Sequence, residues 1–131
     1  MTLNAIGVVA ALATFFGVWV GHVTVRTVEY RAPHLTFPML VAVIAGLALE
    51  VEALSSTSLY VSGACGILGM TALFDALEFR RQFKRVKKGH APANPHNPRH
   101  APLLAAGQAT TSDLLKRQPA GHTMIREEQA A

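Results

Sequence analysis

Six polar side chains lie where apolar stretches of the sequence end, and their types suit ion-pair or proton chemistry. They are His22, Arg26, Glu29, Tyr30, Asp75 and Glu78. If the first and third stretches cross a membrane in the same direction, all six lie at one depth. A carboxylate of Asp75 or Glu78 would then pair with Arg26 or His22, which removes the penalty of a charge beside hydrocarbon. We expect a structural ion-pair network; a proton or small-ion site and a contact with a partner protein are the alternatives.

Glu50 is a separate candidate, because it lies about one helical turn inside the end of the second apolar stretch. A carboxylate within a membrane is by default a functional candidate. Glu52 and the serine-rich run at residues 55–58 indicate that water reaches this end of the stretch. We therefore expect Glu50 to be solvated at the interface, and a role in a polar path through the membrane is the alternative.

A dense basic segment follows the third apolar stretch. Within it, Phe79, Phe83 and Val86 are spaced to share one helix face. This pattern predicts a basic amphipathic helix that places its Phe side chains among lipid headgroups, with about 1 kcal/mol per basic residue from anionic lipid. Gly89 is a suitable helix stop. The basic residues, which are candidates for binding lipid or a partner, are Arg80, Arg81, Lys84, Arg85, Lys87 and Lys88.

Three long apolar runs must position these residues. Half of the 131 residues are apolar and 15% are charged; residues 79–131 carry ten of the twelve Lys and Arg. That asymmetry excludes an ordinary globular domain and indicates a membrane segment with a basic tail. The runs Leu3–Val20, Phe37–Leu54 and Leu59–Leu77 are each long enough to cross about 30 Å of hydrocarbon as helices. The predicted fold is an all-α integral membrane protein with three transmembrane helices and an amphipathic extension of the third.

The orientation follows from the positions of Lys and Arg. Arg26 and Arg31 in the first loop and the basic segment after the third run share one side of the bilayer, whereas the other side has neither residue type. The positive-inside rule then predicts an external N-terminus and a cytoplasmic C-terminus. Because Arg26 follows the first apolar run, we interpret that run as a retained span and not as a signal peptide.

Glycine spacing indicates where the spans pack. Membrane helices associate where small residues let their backbones approach. We expect internal helix packing, with docking of a partner as the alternative. The candidate packing positions are Gly17 and Gly21 in the first span and Gly63, Gly66 and Gly69 in the third.

The chain divides by composition into four parts. Residues 1–78 form the three-helix transmembrane domain, and 79–89 the basic amphipathic extension. Four prolines predict an extended, polyproline-like segment over 90–104. Residues 105–131 are expected to form a mobile tail.

Other chemistries find little support in the sequence. The second and third spans contain no His, so a bis-histidine haem has no ligands on facing helices, and the His spacing after residue 89 matches no zinc pattern. We therefore expect no metal and no cofactor. No motif of a hydrolase, a nucleotide-binding loop or a metalloprotease occurs, so we expect no enzyme. Nucleic acid is not an expected partner, because the basic run abuts a membrane helix and offers no stacking surface.

Several short motifs resemble those of one family. They are His22-x-x-Val25-Arg26-x-x-Glu29-Tyr30, Gly66-Ile67-Leu68-Gly69, Glu78-Phe79, Lys84-Arg85-Val86-x-Lys88-Gly89 and Asn94-Pro95. Over roughly residues 3–100 the chain resembles the domain-of-unknown-function family numbered forty-four ninety-one. The resemblance implies a bacterial inner-membrane protein with a few helices and no assigned activity.

These observations favour a non-catalytic function. We expect an accessory or scaffolding subunit whose partners are the lipid bilayer, anionic headgroups, and a larger membrane complex or a second copy of the chain. The alternative is an oligomeric small transporter or channel-like protein, in which Glu50 or the pair of His22 and Asp75 lines a polar path.

Overall fold

The computed structural model describes residues 4–113, and this part of the chain is helical without strands. Helix α1 spans Ile6–Arg31, α2 spans Thr36–Ser55, α3 spans Leu59–Lys87, and α4 is a short helix at Ala101–Ala105. By length and composition, α1, α2 and α3 are able to cross a membrane. The predicted all-helical fold with three helices of spanning length is therefore confirmed. Residues 114–131 of the predicted tail lie outside the described part.

Two of the three long helices exceed the thickness of a bilayer core. The 20 residues of α2 correspond to about 30 Å, whereas the 26 of α1 and the 29 of α3 correspond to about 39 and 44 Å. Both longer helices continue past the ends of their apolar runs at Val20 and Leu77, which was predicted for α3 and not for α1. The continuations lie at the same end of the molecule, which is also its basic end.

Helix α3 lies between α1 and α2 and packs against both. Against α1, the buried positions recur at every fourth residue, which places them on a single face. They are Ala13, Gly17, Gly21, Val25 and Glu29. Four of these five residues are small or apolar, so the two helices approach closely until the stripe ends at a buried carboxylate.

Close backbone contact explains the glycines that lie between helices. A Cβ at Gly17 would lie 3.2 Å from both Leu68 and Thr71, and one at Gly21 would overlap the Asp75 carboxylate. Between α2 and α3, a Cβ at Gly69 would lie 3.0 Å from the Gly46 carbonyl oxygen. Two of the predicted packing glycines are not in close contact with another helix. A Cβ added at Gly66 would have only Ala53 within 4 Å, and one at Gly63 would have nothing within that distance. The predicted glycine stripe on α3 therefore packs closely only at Gly69.

The segment after α3 is folded into turns and a short helix, which corrects the prediction of an extended segment. Gly89, at φ +71°, ends α3, and the Gly89 and His90 N–H groups donate to carbonyls in the last turn. The Ala93 N–H then donates to the Thr110 carbonyl at 2.8 Å. Ala91 and Ala93 pack with Val86 against two partly buried apolar residues, Leu104 and Ala109.

The expected extended segment over 90–104 is therefore wrong, because turns and helix α4 take its place, whereas the expected mobility of the tail from residue 105 stays a prediction. The prolines block continuous helix but permit turns, and Pro102 fits the first turn of α4. The turns are reinforced by side chains: Asn94 Oδ1 accepts from the His96 N–H, and Asn97 Oδ1 accepts from the Arg99 N–H.

Candidate functional site: a buried polar cluster and the basic surface around it

A buried carboxylate forms the centre of the basic end. Glu29 is 1% exposed, and its Oε1 lies 2.9 Å from Nε2 of His100, which is fully buried. Arg99 Nη2 lies 3.4 Å from the same oxygen. The carboxylate in the last turns of α1 is thus paired with two side chains that lie about seventy residues further along the chain. We call Glu29, Asn94, Asn97, Arg99 and His100 the Glu29 cluster.

The tautomer of His100 follows from its second contact. Its Nδ1 lies 3.0 Å from the backbone nitrogen of Asn94, whose N–H is a fixed donor. Nδ1 therefore accepts, the ring proton is on Nε2, and Nε2 donates to Glu29. The imidazole is neutral in this arrangement. The charge that balances the Glu29 carboxylate accordingly comes from the Arg99 guanidinium.

The cluster also satisfies the carbonyls that end α1. The last carbonyls of a helix have no partner within it and form the negative end of its dipole. Asn97 Nδ2 donates to the carbonyls of Tyr30 at 3.0 Å and Ala32 at 3.1 Å. Asn94 Nδ2 donates to Tyr30, and Arg99 donates through Nη2 to the Glu29 carbonyl at 2.6 Å. The folded segment is therefore the C-terminal cap of α1.

Phe83 joins α3 to the cluster. Its ring stacks on the His100 ring with centroids 6.1 Å apart, and the Arg99 guanidinium lies 5.1 Å from its centroid. Phe79 is 2% exposed and Val86 is fully buried. The predicted insertion of this face among lipid headgroups is therefore wrong, because the segment after α3 and helix α1 cover the face instead.

Four of the five cluster residues, Asn94, Asn97, Arg99 and His100, are not among the site residues predicted from the sequence. The available signal was the repeat Asn94-Pro95-x-Asn97-Pro98 followed by Arg99 and His100, since Asn before Pro favours a turn. Paired with a carboxylate at the end of a span, that polar turn is a candidate helix cap.

The ion pairs predicted at the boundary take other partners. Glu78 pairs with Arg85 at 2.6 Å and Arg81 at 3.4 Å, both on its own helix. Within residues 4–113, Asp75 forms no ion pair with His22 or Arg26. The predicted pairing between α1 and α3 is therefore wrong at these positions, because Glu78 is closer to the basic side chains one and two turns along α3.

His22, Arg26 and Tyr30 are exposed, and they line a groove at the basic end. We call it the boundary groove. It runs between α1, Gln82 of α3 and Pro92, and its α1 lining is His22, Val23, Arg26, Thr27, Glu29, Tyr30 and Arg31. His22 also lines a second, mostly apolar groove toward the middle of the helices, which we call the inner groove. Two of the predicted boundary residues, His22 and Asp75, meet at the inner groove, although they form no salt bridge there.

The six predicted basic residues at the C-terminal end of α3, including the C-cap Lys88, are all exposed. Arg81 and Arg85 are engaged by Glu78, and Arg85 also donates to Gln82 at 2.9 Å. The buried face of the same helix carries Phe79, Gln82 and Val86. The structure thus provides a basic surface on a helix whose opposite face is held by the protein.

Glu50 lies against α3 and not simply at the water interface. Its Oε1 is buried without a hydrogen-bond partner among the described residues, and a Cβ at Gly69 would lie 2.8 Å from it. The expectation of full interfacial solvation is therefore wrong for this oxygen. The missing side chain of Gly69 creates the space that the carboxylate occupies.

An apolar groove also lies between α1 and α2, on a side of α3 where the two helices leave a gap. Its lining includes Val25, Val28, Phe37, Val41 and Phe79.

No metal site is found in the described part of the chain. Residues 4–113 contain no group of three or more His, Cys, Asp or Glu side chains placed to hold an ion. Cys65 is a free thiol on α3.

These features define a small all-helical protein with three helices of spanning length, whose basic end is closed by a buried polar cluster. The sequence profile of the family described as "Domain of unknown function (DUF4491)" matches residues 4–97. The chain therefore belongs to this family. The match includes Glu29, Asn94 and Asn97 of the Glu29 cluster. Comparison with curated proteins and with solved structures finds no similar one.

Proposed function

We propose that this chain is a non-catalytic accessory protein of a bacterial cytoplasmic membrane, and that its basic end binds a partner protein or anionic lipid. The observation that carries the proposal is the Glu29 cluster, which fixes residues 90–101 against the end of α1. A basic segment that ends in a folded, buried contact presents a defined surface, whereas a flexible tail would not.

Unburied apolar surface supports the membrane location. The long helices expose large apolar side chains along their length, such as Phe15 at 63%, Phe37 at 75% and Leu54 at 89%. Soluble proteins rarely leave contiguous apolar surface of this extent in water. A bilayer covers it, and apart from the groups at the helix ends, the backbone groups of α1, α2 and α3 are satisfied along their own helix.

The distribution of charge supports an external N-terminus and a cytoplasmic C-terminus. Arg26, Arg31 and the six basic residues at the C-terminal end of α3 all lie at the end to which α1 and α3 extend. The turn between α2 and α3 carries no Lys or Arg. The positive-inside rule turns the Arg-rich end toward the cytoplasm.

Crosslinking in native membranes tests the proposal. An amine-reactive crosslinker applied to membranes that contain the full chain should join Lys84, Lys87 or Lys88 to one recurring neighbour, identified by mass spectrometry. Replacing Arg80, Arg81, Lys84 and Arg85 with Ala should remove that neighbour, because it removes four of the six positive charges. Glu50→Gln is the matched control, since Glu50 lies toward the other end of the helices, and it should leave the crosslinks intact.

A lack of any recurring neighbour, with the protein present at normal abundance, would contradict the accessory function. Salt provides an independent check. Association through exposed charges weakens as ionic strength rises, because the screening length falls from about 10 Å at 0.1 M to about 3 Å at 1 M.

Glu50 is the observation that favours the alternative function, a transporter formed by several copies. A buried carboxylate oxygen without a hydrogen-bond partner, next to a glycine, is a suitable place for a proton or a small cation. In proteoliposomes, transport would require Glu50 and be abolished by Glu50→Gln. Glu52→Gln is the matched control, since Glu52 is an exposed carboxylate on the same helix.

A further inference from the structure

The boundary groove and the inner groove share His22 as a lining residue, and the lining becomes more polar along α1 from the inner to the boundary groove. Val18, His22, Arg26 and Tyr30 recur at every fourth position, so they share one face of the helix. The inner groove, which is mostly apolar, includes Val18 and His22, and the boundary groove, which is more polar, includes His22, Arg26 and Tyr30. From Val18 to Tyr30 the rise along the helix is about 18 Å.

From these contacts we infer that the two grooves together hold one anionic phospholipid, with its phosphate at Arg26 and Arg31 and an acyl chain along the inner groove. This inference rests on the proposed membrane location and orientation. It adds a defined lipid site between α1 and α3 to the general basic surface of α3.

Charge complementarity selects the anionic headgroup. Within residues 4–113 neither the Arg26 nor the Arg31 guanidinium has a carboxylate partner, in contrast to Arg81, Arg85 and Arg99. The one carboxylate that lines the boundary groove, Glu29, is engaged by the cluster. Guanidinium groups bind phosphate oxygens through paired N–H donors. The Arg26 and Arg31 side chains, which lack a carboxylate partner among the described residues, are therefore available to bind a phosphate group.

Apolar contacts select a lipid and not a soluble phosphate compound. The inner groove is lined mainly by Val18, Ile67, Met70 and Phe74, and Gly66 leaves room at its floor. Phe74 and Met70 are more than half exposed, so this surface has no protein cover among the described residues. Asp75 and Thr71 line the same groove together with His22, so its lining also offers polar groups.

Native mass spectrometry of the full chain in detergent tests the site. Dioleoyl phosphatidylglycerol should bind with a stoichiometry of one, and dioleoyl phosphatidylcholine, which has the same chains and no net charge, should bind at least tenfold more weakly. The double variant Arg26→Gln and Arg31→Gln should weaken phosphatidylglycerol binding about 10- to 30-fold. The double variant Arg26→Lys and Arg31→Lys should restore most of it, which separates loss of charge from misfolding.

Lys87→Gln with Lys88→Gln is the matched control, because it removes the same charge from the exposed basic surface outside the groove. It should leave this stoichiometric binding unchanged while lowering the salt-dependent association proposed for the basic surface. The two proposals can therefore fail separately.

Three outcomes would overturn the lipid site. Equal binding of phosphatidylcholine would remove the role of charge. Inorganic phosphate or short-chain phosphatidylglycerol that binds as tightly as the dioleoyl lipid would remove the role of the inner groove. A dimer that depends on Arg26 and Arg31, with no retained lipid, would assign the grooves to a second copy of the chain.

Discussion

At the scale of single residues, the Glu29 carboxylate is removed from water and bound by protein side chains instead. Removing a carboxylate from water is costly unless hydrogen bonds and an opposite charge replace the solvent. Here the His100 ring donates at 2.9 Å, and the Arg99 guanidinium supplies the balancing charge. The same Arg99 donates to the Glu29 carbonyl, so one cation serves both the carboxylate and the helix end.

Neutralising Glu29 should therefore release the folded segment. In Glu29→Gln the shape is kept, but Arg99 retains a largely buried positive charge with no carboxylate. We expect a loss of about 2–4 kcal/mol in the stability of the basic end. Thermal unfolding in detergent, combined with limited proteolysis between residues 90 and 105, would measure it.

Glu78→Gln is the matched control, because it makes the same change in side chain at an ion pair whose Arg partners are exposed. Its partners Arg81 and Arg85 have side chains about half exposed, at 57% and 45%, and pairs of that kind contribute at most about 1 kcal/mol. Similar losses for the two variants would show that the Glu29 cluster is no stronger than a surface ion pair.

At the scale of elements, α3 organises the molecule because both of its neighbours approach it through glycine. Gly46 of α2 and Gly69 of α3 face each other so closely that an added Cβ on either would meet the carbonyl oxygen of the other within 3.0 Å. Ser62 Oγ adds a hydrogen bond of 2.7 Å to the Ala53 carbonyl near the turn. In lipid, the burial of apolar side chains contributes little to the association of helices, so close packing of this kind holds them together.

Gly46→Ala should separate α2 from α3. Its Cβ would lie 2.7 Å from Leu73 and 2.9 Å from the Gly69 carbonyl oxygen, and a backbone atom cannot move aside as a side chain can. We expect a loss of about 1–3 kcal/mol from overpacking. Resistance to denaturation in mixed micelles is a suitable measurement.

Gly63→Ala is the control on α3, because nothing lies within 4 Å of the added Cβ. It should be neutral or stabilising by up to about 1 kcal/mol, since Ala favours a helix more than Gly does. If Gly63→Ala were as harmful as Gly46→Ala, close packing at Gly46 would not be the cause.

The folded segment after α3 serves as an element in its own right. It ends α3 with Gly89, caps α1 with Asn94, Asn97 and Arg99, and buries His100 against Phe83. The ends of two parallel helices are therefore fixed relative to one another. A surface that spans both ends, such as the boundary groove, keeps its shape as a consequence.

At the scale of the whole molecule, the basic side chains lie at the end to which the two longest helices extend. Both long helices extend at the end that carries the Arg and Lys side chains, while the other end closes in a short serine-containing turn. Apolar side chains remain exposed between these ends. The molecule therefore has a lipid-compatible middle and one enlarged polar end.

The proposed orientation predicts the result of a reporter experiment. A fluorescent protein fused after Ala131 should fluoresce, because that end faces the cytoplasm, whereas a phosphatase that needs export should be inactive at the same position. A phosphatase inserted at Thr57, in the turn between α2 and α3, should be active. The reverse pattern at both positions would contradict the orientation.

Composition and residue spacing were enough to predict the number of long helices, the approximate bounds of α2 and α3, and the end at which positive charge accumulates. These features depend on local composition: an apolar run of sufficient length forms a helix in lipid whatever it packs against. The helix stop at Gly89 is equally local, since only the residue type and its neighbours are involved. Membership of the family could also be inferred from short motifs.

The pairing of polar groups, in contrast, depends on contacts between distant parts of the chain. Glu29 and His100 are 71 residues apart in the chain, and no periodicity links a carboxylate on α1 to a ring in a proline-rich turn. The choice of Arg81 and Arg85 over Arg26 as partners of Glu78, and the position of Glu50 against Gly69, likewise depend on how helices are rotated about their axes. Pairing is decided by long-range packing because a buried charge takes the partner that the fold brings within reach, and that distance is a property of the assembled helices.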